Sequence, residues 1–320
     1  MTLRAAVVGT GMMGRHHVRI LAQMPDVDLV AIVDGDLERA TAAALAFGAS
    51  PFASVAEVGD IDLAVIAVPT PAHAAVALEL IARGVHVLVE KPLAPSPEEA
   101  RRIVDAAAAA GVVLAVGHVE RFNPAVMALA RLVSEPLHMQ FDRLSPFTPR
   151  IGDSVVFDLM VHDLDLACML AGCEPVSIAA EGVTVFSDTL DIASALLRFE
   201  SGAVASITAS RATQDKIRRI AVSELDRFSL ADCLRQDVQI RRETVSEFLD
   251  DAGGTYRQAS VTEIPYLDRR AEPLAAELPD FVEAVRGEHA PSVGGHAGWL
   301  AVDLARKVEA AAGAAAAPRP

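Results

Sequence analysis

Aromatic residues make up 4% of this 320-residue chain, with one tryptophan and two tyrosines. A core cannot be built on rings, so with 52% hydrophobic residues it must rest on Ala, Val, Leu and Ile. Cysteine is scarce as well. Cys168, Cys173 and Cys233 are odd in number and form no CxxC pair. That argues against a disulfide framework or a zinc cluster and fits a reducing cytoplasm. Positive charge is in deficit, and a net charge of −15 lacks the basic footprint that non-specific nucleic-acid binding needs. Local arginines can still meet an anionic substrate. No apolar run reaches the ~18 residues of a membrane span. The run AAAAAGVVLAVG (106–117) is split by Gly111 into a helix end and a short strand. The opening MTLRAAVVGTGMMG enters a strand without the apolar core of a signal peptide. The expected location is therefore cytoplasmic, with no membrane and no nucleic-acid partner.

What is present is a strict alternation in the first third. Short apolar runs at 3–8, 28–33, 62–68, 85–89 and 112–116 predict parallel strands covered on both faces. Helical stretches fall between them, at 12–24, 36–47, 72–83 and 97–110. The last has a capped start, with Ser96 as N-cap, Pro97 first in the helix and Glu99 completing a capping box. This pattern predicts an α/β fold, a doubly wound Rossmann sheet over 1–118.

The loop after the first strand reads GTGMMG, residues Gly9, Thr10, Gly11, Met12, Met13 and Gly14. Gly9 permits the turn, Gly11 lets backbone approach a pyrophosphate, and Gly14 lets helix and strand pack closely. The helix N-terminus then offers free N–H groups to phosphate. Asp34 lies 20 residues past Gly14, at a strand end, where a carboxylate can hold ribose hydroxyls. No Arg, Lys or Ser adjoins Asp34-Gly35-Asp36, so NAD is favoured over NADP.

From residue 119 the pattern changes. VERFNPAV (119–126) leads into a helix, and alternating runs follow at 137–143, 175–185, 191–199, 203–210, 217–223, 235–240 and 259–264. They predict an α+β domain over 119–312 with a large, mainly antiparallel open sheet packed on a helix at 154–171. A final helix at 296–312 should pack back on the body, and 313–320 should fray. The segment VVFDLMVHDLDL (155–166) is apolar yet holds four ionisable groups. At about 100° per residue, Asp158, His162 and Asp165 share one helix face, while Asp163 points elsewhere and reads as exposed. A buried polar network, a metal site or a catalytic site all fit that stripe. The absence of a second His or Cys cluster nearby weighs against a metal.

Four motifs in order, GTGMMG, VPTPAHAAVA (68–77), VLVEKPLA (87–94) and DLMVHDLDL (158–166), resemble the Gfo/Idh/MocA oxidoreductases over nearly the whole chain. The resemblance implies that Lys91 sits beside nicotinamide and substrate, with Asp158 and His162 supplied by the second domain. It places Pro69, Thr70, His73 and Glu90 at the cofactor. Val68 stands where the family often has Thr, which removes a hydroxyl. Either Lys91 or His162 can take the hydroxyl proton, and Asp158 can orient His162. The stretches GHVERFNPAV, TPRIGD and SRATQDKIR resemble the family's UDP-N-acetylglucosamine 3-dehydrogenase branch. Arg121, Arg143, Arg150 and Arg211 are then candidates for a diphosphate, and Asn123 for a sugar hydroxyl or amide. The implied substrate is a nucleotide sugar, with an inositol- or glucose-type polyol, internal redox cycling or a non-catalytic NAD sensor as alternatives. A homodimer or homotetramer, and an aminotransferase that uses the keto product, are the implied partners.

Overall fold

The computed structural model describes residues 2–148, 152–249, 255–267, 272–313 and 315–316. The chain divides into two compact units. The first comprises Met1–Phe122 and Glu272–Arg306, the second Asn123–Ala271 and Lys307–Pro320. The sequence places 272–295 with the second domain, whereas the structure returns that segment to the first. The reason is a helix that the alternation did not reveal, described below.

In the first unit the strands are β1 (Leu3–Val8), β2 (Val27–Val33), β3 (Ser50–Phe52), β4 (Leu63–Ile66), β5 (His86–Glu90) and β6 (Leu114–Gly117). They form one parallel sheet in the order β3-β2-β1-β4-β5-β6. The helices between them are α1 (Met12–Leu21), α2 (Leu37–Leu45), α3 (His73–Ala82) and α4 (Pro97–Ala110). Every residue of β4 is buried, as continuous apolar runs require when both faces are covered. Ser96 caps α4 by accepting from the Glu99 N–H at 3.2 Å, and Gly111 ends it in the left-handed region. The short edge strand β3 is unpredicted, because three residues give no periodicity to read.

The second unit holds α5 (Pro124–Leu132), β7 (His138–Leu144), α6 (Val161–Ala171) and the strands β8 (Pro175–Thr184), β9 (Ile192–Phe199), β10 (Val204–Ser210), β11 (Ile217–Ser223), β12 (Arg227–Asp232), β13 (Asp237–Leu249) and β14 (Thr255–Glu263). They build one sheet in the order β14-β13-β12-β11-β7-β10-β9-β8, extended at β8 by the two-residue β15 (Ala315–Ala316). Pairing is antiparallel except for β7 with β10 and β8 with β15. The strict burial alternation of β9 reflects one covered face and one open face.

Two late helices complete the first unit's account. In α7 (Pro273–Val285), Leu274, Leu278, Phe281 and Val282 join the core formed by Val18 and Leu21 of α1 with β1, β2 and β4. That burial is what draws 272–306 to the first sheet. The last helix, α8 (Gly295–Ala312), approaches β6 through glycines. A Cβ on Gly298 would lie 2.5 Å from Val116, and one on Gly295 2.6 Å from Leu114. Arg101 stacks over Trp299 of α8 at 3.8 Å.

Candidate active site

The strand order reverses between β1 and β4, so a crevice opens at their carboxyl ends. A cavity of about 950 Å³ occupies it, lined by Gly9–Met13, Asp34, Arg39, Pro69, Thr70, His73, Glu90 and Lys91, among others. The sequence-derived cofactor residues other than Gly14 thus converge on one space within the first unit.

The glycines differ in what holds them. Gly9 has φ +95°, and a Cβ there would lie 2.5 Å from the Ala67 carbonyl oxygen. A Cβ on Gly14 would lie 1.9 Å from Gly9 O. Both are demanded by the chain's own packing. Gly11 is not, since its Cβ would meet nothing within 4 Å. Its bareness leaves an open cradle at the N-terminus of α1, where Gly11 is the N-cap without a side-chain hydrogen bond. No acidic residue occupies the first turn. Such a terminus fits a pyrophosphate.

Asp34 is buried, and burial alone would raise its carboxyl. The Thr10 hydroxyl at 2.6 Å, the N–H groups of Asp36 and Thr10, and Arg39 at 2.8 Å reverse this and lower it to about 2. The expectation that no arginine stands near Asp34 is corrected. Asp36 caps α2, and the first turn of that helix wraps Arg39 back onto both aspartates. The three charges still sum to −1, so the pocket keeps its bias against an extra phosphate. Asp34→Ala should weaken NAD binding by about tenfold or more, the worth of a charge-assisted hydrogen bond. It should also narrow the NAD-over-NADP preference by releasing Arg39. Fluorescence titration with both cofactors checks this, and unchanged affinities would remove Asp34 from the site.

His73 lines the cavity but is itself a staple. Its Nδ1 lies 2.9 Å from the Pro92 carbonyl and its Nε2 2.9 Å from the Val68 carbonyl. Burial lowers its pKa, against the pull of those carbonyls, so the neutral ring has one N–H to share between them. It ties the loop after β4 to the Lys91–Pro92 turn, whose peptide bond is cis. Glu90 is buried and bonded to His17 of α1.

In the second unit, Asp158 lies in a π-helical turn, Val156–Met160, that runs directly into α6. A π turn changes the angular step, so a uniform helical wheel does not carry from Asp158 to His162. Both side chains are half-buried. Asp165 is 3% exposed, consistent with a structural role. Asp163, expected to be exposed, is 2% exposed and bonds Arg143 with both oxygens at 2.8 Å. The wheel could not foresee this because β7 covers that side of α6.

The same pairing removes Arg143 from the substrate candidates. Arg211 goes the same way: it is buried and donates to Asp191 at 2.6 Å and to the Asp153 carbonyl at 2.7 Å. Asn123 is the N-cap of α5, accepting from the Ala125 N–H, while its amide donates to the Cys233 carbonyl at 2.9 Å. Both its amide oxygen and its amide nitrogen are thus engaged within the second unit. Arg121 donates to the Ser292 carbonyl at 3.2 Å. Arg150 lies outside the described residues.

Residues 3–118 match the oxidoreductase family with an NAD-binding Rossmann fold, Gfo/Idh/MocA, and residues 98–223 match that family's C-terminal domain. The chain belongs to the Gfo/Idh/MocA oxidoreductase family. It is similar to UDP-N-acetylglucosamine 3-dehydrogenase of Acidithiobacillus ferrooxidans, with 33% identity over 97% of both chains. A solved structure of that enzyme superposes with a TM-score of 0.88, covering 97% of this chain and 98% of the other. It is also similar to inositol 2-dehydrogenase of Rhizobium meliloti, with 27% identity over 95% of both chains. The first unit is thus an NAD-binding domain, and the chain is an NAD-dependent dehydrogenase acting on CH–OH groups. Among the described residues, no helix is long and apolar enough to cross a membrane.

Proposed function

We propose that this chain oxidises the C3 hydroxyl of UDP-N-acetylglucosamine to the 3-keto sugar. The observation that carries this reading is the full-length similarity to a 3-dehydrogenase for that substrate, at 33% identity. Lys91, Asp158 and His162 stand at the motif positions the chemistry needs. When bound, NAD supplies the hydride acceptor. The protein's part is to bind, orient and move one proton. The Gly11 cradle and Asp34 hold the cofactor end. Lys91 and His162 are the two groups able to take the hydroxyl proton, and Asp158 orients His162. Arg121 and Arg150 remain the arginines assigned to the diphosphate.

Assembly as a homodimer or homotetramer belongs to the same reading. It is supported by the open face of the second sheet, where Leu196 is 52% exposed. A cytoplasmic setting and a keto-consuming aminotransferase complete it.

The test is NADH formation by purified protein with NAD+ and a panel of UDP-N-acetylglucosamine, UDP-glucose, myo-inositol and glucose. A keto trap or aminotransferase draws off product. NADH with UDP-N-acetylglucosamine is the expected result. NADH with inositol or glucose alone would discard the nucleotide-sugar reading in favour of the chemistry of the inositol relative. Bound NAD without NADH from any substrate would point to internal redox cycling or sensing.

A further inference from the structure

Behind Lys91 lies a buried chain of polar groups, all within the first unit. His17 on α1 is fully buried, with Nε2 2.7 Å from Glu90 Oε1 at the end of β5. The other Glu90 oxygen accepts the backbone N–H of Lys91 at 3.3 Å. Gly117 on β6 makes room for this carboxylate, since a Cβ there would sit 3.0 Å from Glu90 Oε2. His17 therefore holds the carboxylate that holds the Lys91 turn.

Two ends of this arrangement have no hydrogen-bond partner among the described residues. They are His17 Nδ1 and the carboxyl oxygens of Glu277, all buried. Glu277 is 2% exposed on α7, and α7 packs against α1. Buried polar atoms find partners, in the chain or in bound water. The chemistry of the two ends is complementary. With Glu90 as the acceptor, a neutral His17 ring carries its hydrogen on Nε2 and leaves Nδ1 a bare acceptor. Burial first, then the charges of Glu90 and Asp280, push the Glu277 carboxyl well above the usual carboxylate range. A carboxyl that keeps its proton is an O–H donor.

We propose that Glu277 is a neutral acid whose O–H serves His17 Nδ1 through one bound water, since neither group reaches a partner directly. It completes a Glu277–His17–Glu90 chain that positions Lys91. His17 and Glu277 do not line the cofactor cavity and are positioning residues that act through Glu90, which does line it. The catalytic consequence rests on the reading of Lys91 above; the protonation of Glu277 does not. The ionisable groups around it are His17 on α1, Glu90 on β5, Asp280 on α7 and the buried His118 and Glu120 on the 118–122 segment, which packs against α7. For an acid raised in the folded state, the stabilising protonated form is fully present below the ordinary carboxylate range. It is lost as pH rises through the folded-state value. Rising pH thus breaks the chain by placing a second carboxylate near Glu90.

Infrared spectroscopy of the full-length protein at neutral pH should show a protonated-carboxyl C=O band that disappears in Glu277→Gln. Nitrogen NMR of wild type should place the His17 hydrogen on Nε2. Glu277→Gln keeps a donor and should retain most of the turnover, without the loss that rising pH should cause in wild type. Glu277→Met keeps volume without a donor and should lower kcat on the order of tenfold, with the NAD affinity little changed. Absence of the band, or a His17 hydrogen on Nδ1, overturns the proposal whether or not the methionine variant folds. If the band and tautomer hold but kcat does not respond, the role assigned to Lys91 is what fails.

Discussion

Lys91→Ala and His162→Ala should each lower kcat by about 10²–10⁴-fold, the usual worth of a positioned proton-transfer group. The two residues come from different units, on the turn after β5 and in the first turn of α6. If both serve one proton transfer, the double variant should cost little more than the worse single one. If they act on separate steps, the losses should multiply. Affinity for NAD separates the two further. His162→Ala should leave it unchanged, because the cofactor cavity is lined from the first unit alone. Lys91→Ala should alter it, because Lys91 lines that cavity. Steady-state kinetics with cofactor titration reads all three outcomes. Full turnover in either single variant would remove that residue from the mechanism.

Asp163→Ala should destabilise the second unit by about 3–5 kcal/mol. The cost is not the lost ion pair as such. It is the Arg143 guanidinium, 2% exposed, left in the interior without its bidentate partner. For a unit of this size the melting transition should fall by roughly 10 °C. Replacing both partners, as Arg143→Met with Asp163→Leu, should recover most of the loss, since a buried pair can be exchanged for packed apolar groups. Calorimetry or thermal circular dichroism of the two variants against wild type checks the pattern. Unaltered melting with a raised KM would instead return Arg143 to the substrate site.

These two results fall on residues that sequence reading treated differently, and the contrast is physical. The Gly9–Gly14 loop, Asp34 and the Ser96 cap act within one turn or one βα unit. Their geometry follows from neighbouring residues and is legible in the string. The apolar strands of four or more residues were legible for the same reason, because a period of two or a continuous run survives any packing. Strands β3 and β12 and helix α7 escaped. Three residues carry no period, β12 follows β11 too closely to be set apart, and Pro279 interrupts the helical reading of α7.

The sequence by itself determined the alternation of the Rossmann half, the pyrophosphate loop and its acidic partner, and the motifs that define the family. All are local patterns or ordered motifs, which need no knowledge of what lies across the core. Tertiary structure alone decided which charges are structural. Arginine reads the same in a string whether it meets a diphosphate or a buried aspartate. Arg143 and Arg211 meet aspartates 20 residues away in each case, Asn123 spends its amide on the Cys233 carbonyl, and Glu277 enters the first unit only because α7 returns to it. Burial and partner identity are set by residues distant in sequence, and they fix whether an ionisable group is a ligand, a brace or a proton held in reserve.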